Sequence, residues 1–285
     1  MNMKLLVIGH SVLDFIKDSE ADKISAGGIF YAVSALNRIC NKDDEIFLCT
    51  QYDEESFKYF KPEYDKIKKD YLQKVEKIPR VHLNLFTDKE RHEYYENITN
   101  NLKTDFTDLK ELDGILINMI TGFDITLEQL CKIRDHYAGV IYIDVHTLSR
   151  GLGDNYKREF RRIPDFNNWA KNVDVIQVNQ SELFTLSDRN TEVEIISEIF
   201  SYGVKILCVT KGDIGAKIYF KKSKEIISYF IAAKKIKNPN VIGCGDVFGA
   251  SFFYSYIRNK NEIDSLNQAV ALSEKHVSNK LFNSV

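Results

Sequence analysis

The chain has no apolar run approaching the ~20 residues that a membrane-spanning helix needs, and it shows no internal repeat or low-complexity tract. Only four of its 285 residues are proline, so nothing marks a long linker between domains. Neither sign of charge dominates, because 39 basic residues stand against 41 acidic ones for a net charge of -2. Mixed signs along the chain exclude the basic footprint of a nucleic-acid binder, and neither nucleic acid nor membrane is expected as a partner. Five cysteines (Cys40, Cys49, Cys131, Cys208 and Cys244) form an odd set without a C-x-x-C pair. Several lie in apolar runs such as Glu45–Thr50 and Lys205–Thr210, where cysteine acts as a small core residue. The first residues, MNMKLLVIGHSVLDFI, read as a strand rather than a signal peptide. Asn97-Ile98-Thr99 matches a glycosylation sequon with no secretory signal to give it meaning. Together these features fit a cytoplasmic protein. His82, His92 and His136 have no metal-ligand spacing.

What is present is a rhythm. A hydrophobic content of 44% allows one substantial core, and residues 1–285 are read as a single domain. Short β-branched runs alternate with longer amphipathic ones. The strands fall at Lys4–Gly9, Glu45–Cys49, Gly114–Asn118, Val140–Asp144, Val173–Val178 and Lys205–Thr210. Helices fall at Ile29–Ile39, Thr126–Tyr137, Ser181–Leu186, Glu192–Tyr202, Val247–Ile257 and Ile263–Ser278. Continuous apolar strands alternating with helices predict an α/β fold, a doubly wound, mostly parallel sheet flanked by helices. Residues 80–98 break the rhythm with two strand-like runs around a polar turn at Asp88-Lys89-Glu90. With a second extended piece at about 12–25 they predict a small β lid.

The most informative segment is Pro239–Ala250, PNVIGCGDVFGA. Gly243 and Gly245 directly precede an apolar helix. Glycines there let backbone N–H groups converge, and the helix N-terminus adds positive potential, which together make an anion hole. Asp246 in the first turn is placed to take a proton from a hydroxyl. The same residues also read as an ordinary glycine turn with an acid at a helix start. The segment is neither a Walker A loop nor an N-terminal G-x-G-x-x-G.

This segment resembles the C-terminal signature of the ribokinase/phosphofructokinase B (PfkB) family of carbohydrate kinases, Asp-Thr-x-Gly-Ala-Gly-Asp. Gly243, Gly245 and Asp246 match, and Cys244 takes the place of a small residue. Asn240 and Val241 depart from the leading Asp-Thr, whose acid helps hold a monovalent cation in the family, so that requirement stays open. Other segments match in order. Asp14 after the first strand resembles the family's substrate-binding acid, and Gly27-Gly28 its Gly-Gly segment, with Tyr31 and Ala32 following. Both also read as turn residues. Asp144–Arg150 is a partial match to Asp-x-Asn-x-x-Arg, with His146 in the Asn place and Arg150 one residue late. Asn179 and Glu182 match Asn-x-x-Glu and equally suit a helix cap. Val209–Ala216, with Thr210, Lys211 and Gly212, resembles the turn that contacts ATP.

The resemblance implies transfer of the γ-phosphoryl group of ATP to a hydroxyl of a sugar, polyol or inositol-like acceptor. In that scheme Asp246 is the base and Gly243, Cys244 and Gly245 form the anion hole. Asp14, Gly27, Gly28 and Arg91 hold the acceptor, whereas Asn179, Glu182, Thr210, Lys211 and Gly212 hold the nucleotide. Mg²⁺ is ordered by Glu182 through water. A nucleoside acceptor stays open, as do a catalytically weak, ligand-binding regulatory role and a homodimer formed through the lid.

Overall fold

Strands such as Lys4–Ile8 and Gly114–Asn118 are buried at nearly every position, as strands covered on both faces of a parallel sheet must be. The structure, a computed structural model, describes residues 2–17, 22–84, 92–98, 100–152, 158–237 and 239–278. The chain begins with β1 (Lys4–Ile8), β2 (Ser11–Lys17), β3 (Asp22–Gly28), α1 (Phe30–Ile39), β4 (Glu45–Tyr52), α2 (Phe57–Tyr64) and β5 (Leu72–Lys74). It continues through β6 (Arg80–Asn84), β7 (His92–Glu96), β8 (Gly114–Asn118), α3 (Leu127–His136), β9 (Val140–Asp144), β10 (Arg150–Leu152), β11 (Arg158–Phe160) and α4 (Phe166–Lys171). The last part holds β12 (Val175–Asn179), α5 (Gln180–Leu183), α6 (Glu192–Ser201), β13 (Ile206–Thr210), β14 (Gly215–Lys222), β15 (Glu225–Ala232), α7 (Cys244–Asn259) and α8 (Glu262–Val277).

Nine strands form the main sheet in the order β15-β14-β13-β12-β9-β8-β1-β4-β5. Neighbours from β13 to β5 pair in parallel, and β14 and β15 add an antiparallel hairpin at one edge. This is the doubly wound, mostly parallel α/β sheet that the alternating runs predict. Leu5 and Val7 face a core shared with α1, α2, α7 and α8, while Leu6 and Ile8 face another shared with α3, α4 and α6. The hairpin β14–β15 has no counterpart in the sequence reading. Strand β15, EIISYFIA, is exposed along most of its length at the sheet edge, so burial imposes no alternation on it. The strand expected from Val173 starts instead at Val175. Asp174 is drawn into a clamp, its carboxylate accepting from Arg134 Nη2 and pairing with Lys205 Nζ, both at 2.7 Å.

A second sheet, β3-β2-β6-β7, stands beside the first. It consists of two antiparallel hairpins joined by parallel pairing of β2 with β6. The segment around 12–25 is therefore a hairpin rather than one extended piece. The Asp88-Lys89-Glu90 turn and Arg91 lie outside the described residues. Register places Ser25, Asp14, Val81 and Tyr95 directly opposite one another across the four strands, and residues paired this way share one face.

Strand order reverses at β1, which lies between β4 and β8. Open α/β sheets build their sites outside the carboxyl ends of the strands at such a point. The polar residues Asn118, Asp144, Asn179 and Thr210 all sit at those ends.

A buried polar cluster ties the end of β1 to the turn after β8. Asp124, fully buried, accepts the backbone N–H of His10 at 2.7 Å and that of Thr121 at 2.9 Å, and its Oδ1 lies 3.0 Å from His10 Nδ1. Burial alone would push this carboxyl up, but attraction to His10 and the N–H donors outweigh it and hold the group below its usual range. A carboxylate held low contributes stability that is present at neutral pH and lost as pH falls below its unfolded value of 3.8. Asp124→Ala is expected to lower unfolding free energy by about 3 kcal/mol at pH 7. Urea titrations at pH 7 and near pH 3 should show the gap between variant and wild type narrowing in acid.

Candidate active site

Helix α7 begins at the carboxyl edge of the sheet, and its entry is shaped by glycine. Gly243 is the N-cap with a φ of 73°, a left-handed conformation that favours a residue without Cβ. Space makes the same demand, because a Cβ there would come within 2.2 Å of the Tyr31 ring. Tyr31 meets His276 edge-on, with ring centroids 5.8 Å apart. Burial lowers the pKa of His276, and its Nε2–H donates to the Ile242 carbonyl at 2.6 Å. Asn240 N–H donates to Val277 O at 2.9 Å, which docks the preceding segment on α8. The first N–H groups of a helix have no intrahelical partners, and no side chain among the described residues caps this one. Gly243, Cys244, Gly245 and Asp246 all line a cleft of about 390 Å³.

Asp246 is buried, and its Oδ1 accepts from Asn118 Nδ2 at 3.0 Å. Gln177, from the middle of β12, donates to Gly245 O at 3.0 Å and to Asp144 Oδ2 at 3.2 Å while accepting from Tyr142 Oη at 2.5 Å. Asp144 is held well above the usual carboxylate range by burial first, then by the nearby charges of Glu182 and Asp246. Burial also pushes the Cys244 thiol up to about 11, so it faces the cleft as a neutral group. Neither Asn118 nor Gln177 is among the residues that sequence reasoning selected. Their signal was an amide in a largely apolar strand, Asn118 at the end of GILIN and Gln177 midway through VIQVN.

Asn179 and Glu182 form a reciprocal cap on α5: Glu182 N–H donates to Asn179 Oδ1 and Asn179 N–H to Glu182 Oε2, both at 2.8 Å. Both residues also line the cleft, as do Thr210, Gly212, His146 and Arg150, so capping and cleft position coexist. Lys211 is not among the lining residues. Its Nζ lies 3.7 Å from Glu192, directed to α6. Arg150 lies over the Phe160 ring at 4.6 Å, within the small β10–β11 hairpin.

On the other side of the α7 turn, Asp14 lies against Gly27. A Cβ at Gly27 would meet Asp14 Oδ2 at 2.1 Å, and one at Gly28, whose φ is 62°, would meet His10 O at 2.5 Å. Asp14 and the glycine pair are thus brought together, and Tyr31 carries that segment onto Gly243. Arg158 extends the same wall: its guanidinium lies 4.8 Å from the Tyr95 ring centroid and donates to Thr121 O at 2.6 Å. No group of three or more His, Cys, Asp or Glu side chains among the described residues forms a direct metal cage. No helix among them is long and apolar enough to cross a membrane.

Comparison with known proteins agrees with this geometry. Residues 152–283, which include the α7 turn, match the family model for pfkB family carbohydrate kinase. No curated protein matches the chain in sequence. The fold is ribokinase-like throughout. A pyrophosphate-dependent kinase in the ribokinase family, complexed with a pyrophosphate analog and myo-inositol, superposes with a TM-score of 0.75 at 17% identity, over 96% of this chain and 95% of that one. Arabidopsis thaliana ribokinase complexed with ribose and ATP gives 0.73 at 17% identity, over 97% and 93%. The ribokinase from Cryptococcus neoformans var. grubii serotype A in complex with ADP gives 0.71 at 16%, over 98% and 94%.

Gly243→Ala forces a Cβ into the left-handed region and into the Tyr31 ring. Its melting temperature is expected to fall by about 2–4 °C for each kcal/mol of stability lost. Adding Tyr31→Ala relieves the contact but not the φ strain of about 1–2 kcal/mol, so melting temperature should recover only in part. Calorimetry of the single and double variants checks this.

Proposed function

We propose that the protein is an ATP-dependent kinase that phosphorylates a hydroxyl of a sugar, polyol or inositol-like acceptor. The observation that carries the reading is Asp246, anchored by Asn118 in the first turn of α7, at a helix N-terminus that opens on the cleft. Asp14 and the Gly27-Gly28 backbone bind the acceptor, since a carboxylate accepts two hydroxyl hydrogen bonds at once. The hydroxyl proton passes to Asp246 as the acceptor oxygen forms its bond to the γ-phosphorus. The bond to the β–γ bridging oxygen breaks, and ADP leaves. The α7 N-terminus stabilises the charge on the transferring group.

Beyond the phosphate turn the cleft is walled by Ile236, Val241, Val270 and Val277. An apolar wall of that extent suits an adenine ring and has no use for bare pyrophosphate, so ATP is the favoured donor. Mg²⁺ fits the donor set only through water and the phosphates. Glu182 is the residue to hold it, and the ion supplies neutralisation of phosphate charge. The four-stranded sheet would close over the acceptor to exclude water, and its exposed edge suits pairing with a second copy.

Acceptor-dependent ADP release should be measured with sugars, polyols, inositols and nucleosides, with ATP and pyrophosphate compared as donors. Asp246→Asn is expected to lower kcat about 10²–10⁴-fold with nucleotide affinity kept. Intact turnover in that variant would sink the reading.

A further inference from the structure

Resting on the assignment of Asp246 as the base, we propose that Asn118 is its positioning residue: the amide fixes the carboxylate and aims its second oxygen at the acceptor hydroxyl. Asn118 is the last residue of β8, fully buried, and pinned on both sides. It pairs with Asp144 in β9 and its carbonyl accepts from Ile120 N–H at 2.9 Å. A Cβ at Gly9 would meet that carbonyl oxygen at 2.9 Å, so the β8 end has little room to shift. From this fixed base the Nδ2 reaches Asp246 Oδ1 at 3.0 Å.

The other end of the amide makes the case. Asn118 Oδ1 is buried and has no hydrogen-bond partner among the described residues. Unsatisfied buried acceptors are rare and destabilising, and a leucine of similar shape would avoid the penalty. Turning the amide over would not help, because it would set oxygen against the Asp246 carboxylate. The unsatisfied oxygen is the consequence of keeping a donor on Asp246. An amide whose purpose was only to hold the fold would be satisfied at both ends.

Around Asp246 stand Asp144 from β9, Glu182 of α5 behind it, and Cys244 on its own helix. Two of these are carboxyls and the third a neutral thiol, and none is a cation, so the Asn118 N–H is a counterweight that keeps the carboxylate ready to receive a proton. Removing the donor should therefore make Asp246 harder to ionise.

The test is a pH–rate profile of kcat for wild type, Asn118→Leu and Asn118→Asp, with melting temperatures beside it. Asn118→Leu is expected to move the acid limb up by about one pH unit and lower kcat more than tenfold, with KM for ATP little changed. Asn118→Asp places carboxyl against carboxyl, and its loss of melting temperature should grow from pH 5 to pH 8. The exchange Asn118→Asp/Asp246→Asn re-forms the amide–carboxylate pair in reverse, so melting temperature should recover while turnover does not. An acid limb and kcat unchanged in Asn118→Leu would overturn the positioning role. A failure of the exchange to recover melting temperature would do the same. A wild type silent with every acceptor would overturn the kinase reading and with it the catalytic role, even where recovery in the exchange establishes the contact.

Discussion

The close approach of the first turns of α7 to the carboxyl ends of the parallel strands governs this molecule. A Cβ at Gly243 would strike Tyr31, and one at Gly249 would lie 2.6 Å from Gln177 Oε1. The helix can sit this deep only because those positions carry no side chain. Depth brings Asp246 against Asn118 and the Gly245 carbonyl against Gln177. It also threads the rest of α7 through the core, where Val247, Phe252 and Phe253 are almost wholly buried. The burial of those side chains, about 1.5–3 kcal/mol each, anchors the turn from behind. Stability and chemistry thus depend on one packing event.

Much of this was legible in the residues. The central strands are buried on both faces, so their apolar runs have no alternative use, and Lys4–Gly9 or Gly114–Asn118 could be read within a residue or so of their ends. The glycines of α7 were legible because space and φ both exclude other residues at Gly243. The hairpin β14–β15 was not, since its outer strand lies at an edge where no burial enforces a period. Asn118 and Gln177 were missed for a different reason. An amide is ambiguous until its partner is known, and their partners lie 128 and 68 residues away in the chain. Lys211 looked like a phosphate ligand from its place beside the Thr210 turn. Its pairing with Glu192 depends on how α6 packs, which no local pattern carries.

The proposed reaction places a carboxylate base beside a polyphosphate, an electrostatic problem that the residues around Asp246 bear on one by one. Two like unit charges about 4 Å apart repel by roughly 4 kcal/mol at the effective dielectric of a protein surface. Five carboxyls line the cleft, those of Asp144, Glu182, Asp213, Asp246 and Glu274, and Glu182 and Asp246 act directly on Asp144. Burial first, then the charges of Glu182 and Asp246, push the Asp144 carboxyl up. Glu182 has one oxygen occupied by the Asn179 N–H. Cys244 stays a thiol. Among these groups Asp246 stands in the first turn of α7, and as the proposed base it must be anionic to receive a proton. It is balanced by the partial positive charge of about half a unit at the α7 N-terminus and by the Asn118 amide. Under the proposed function, raising the neighbouring acids and compensating the base are two halves of one arrangement, because either alone would leave the phosphate repelled or the base protonated.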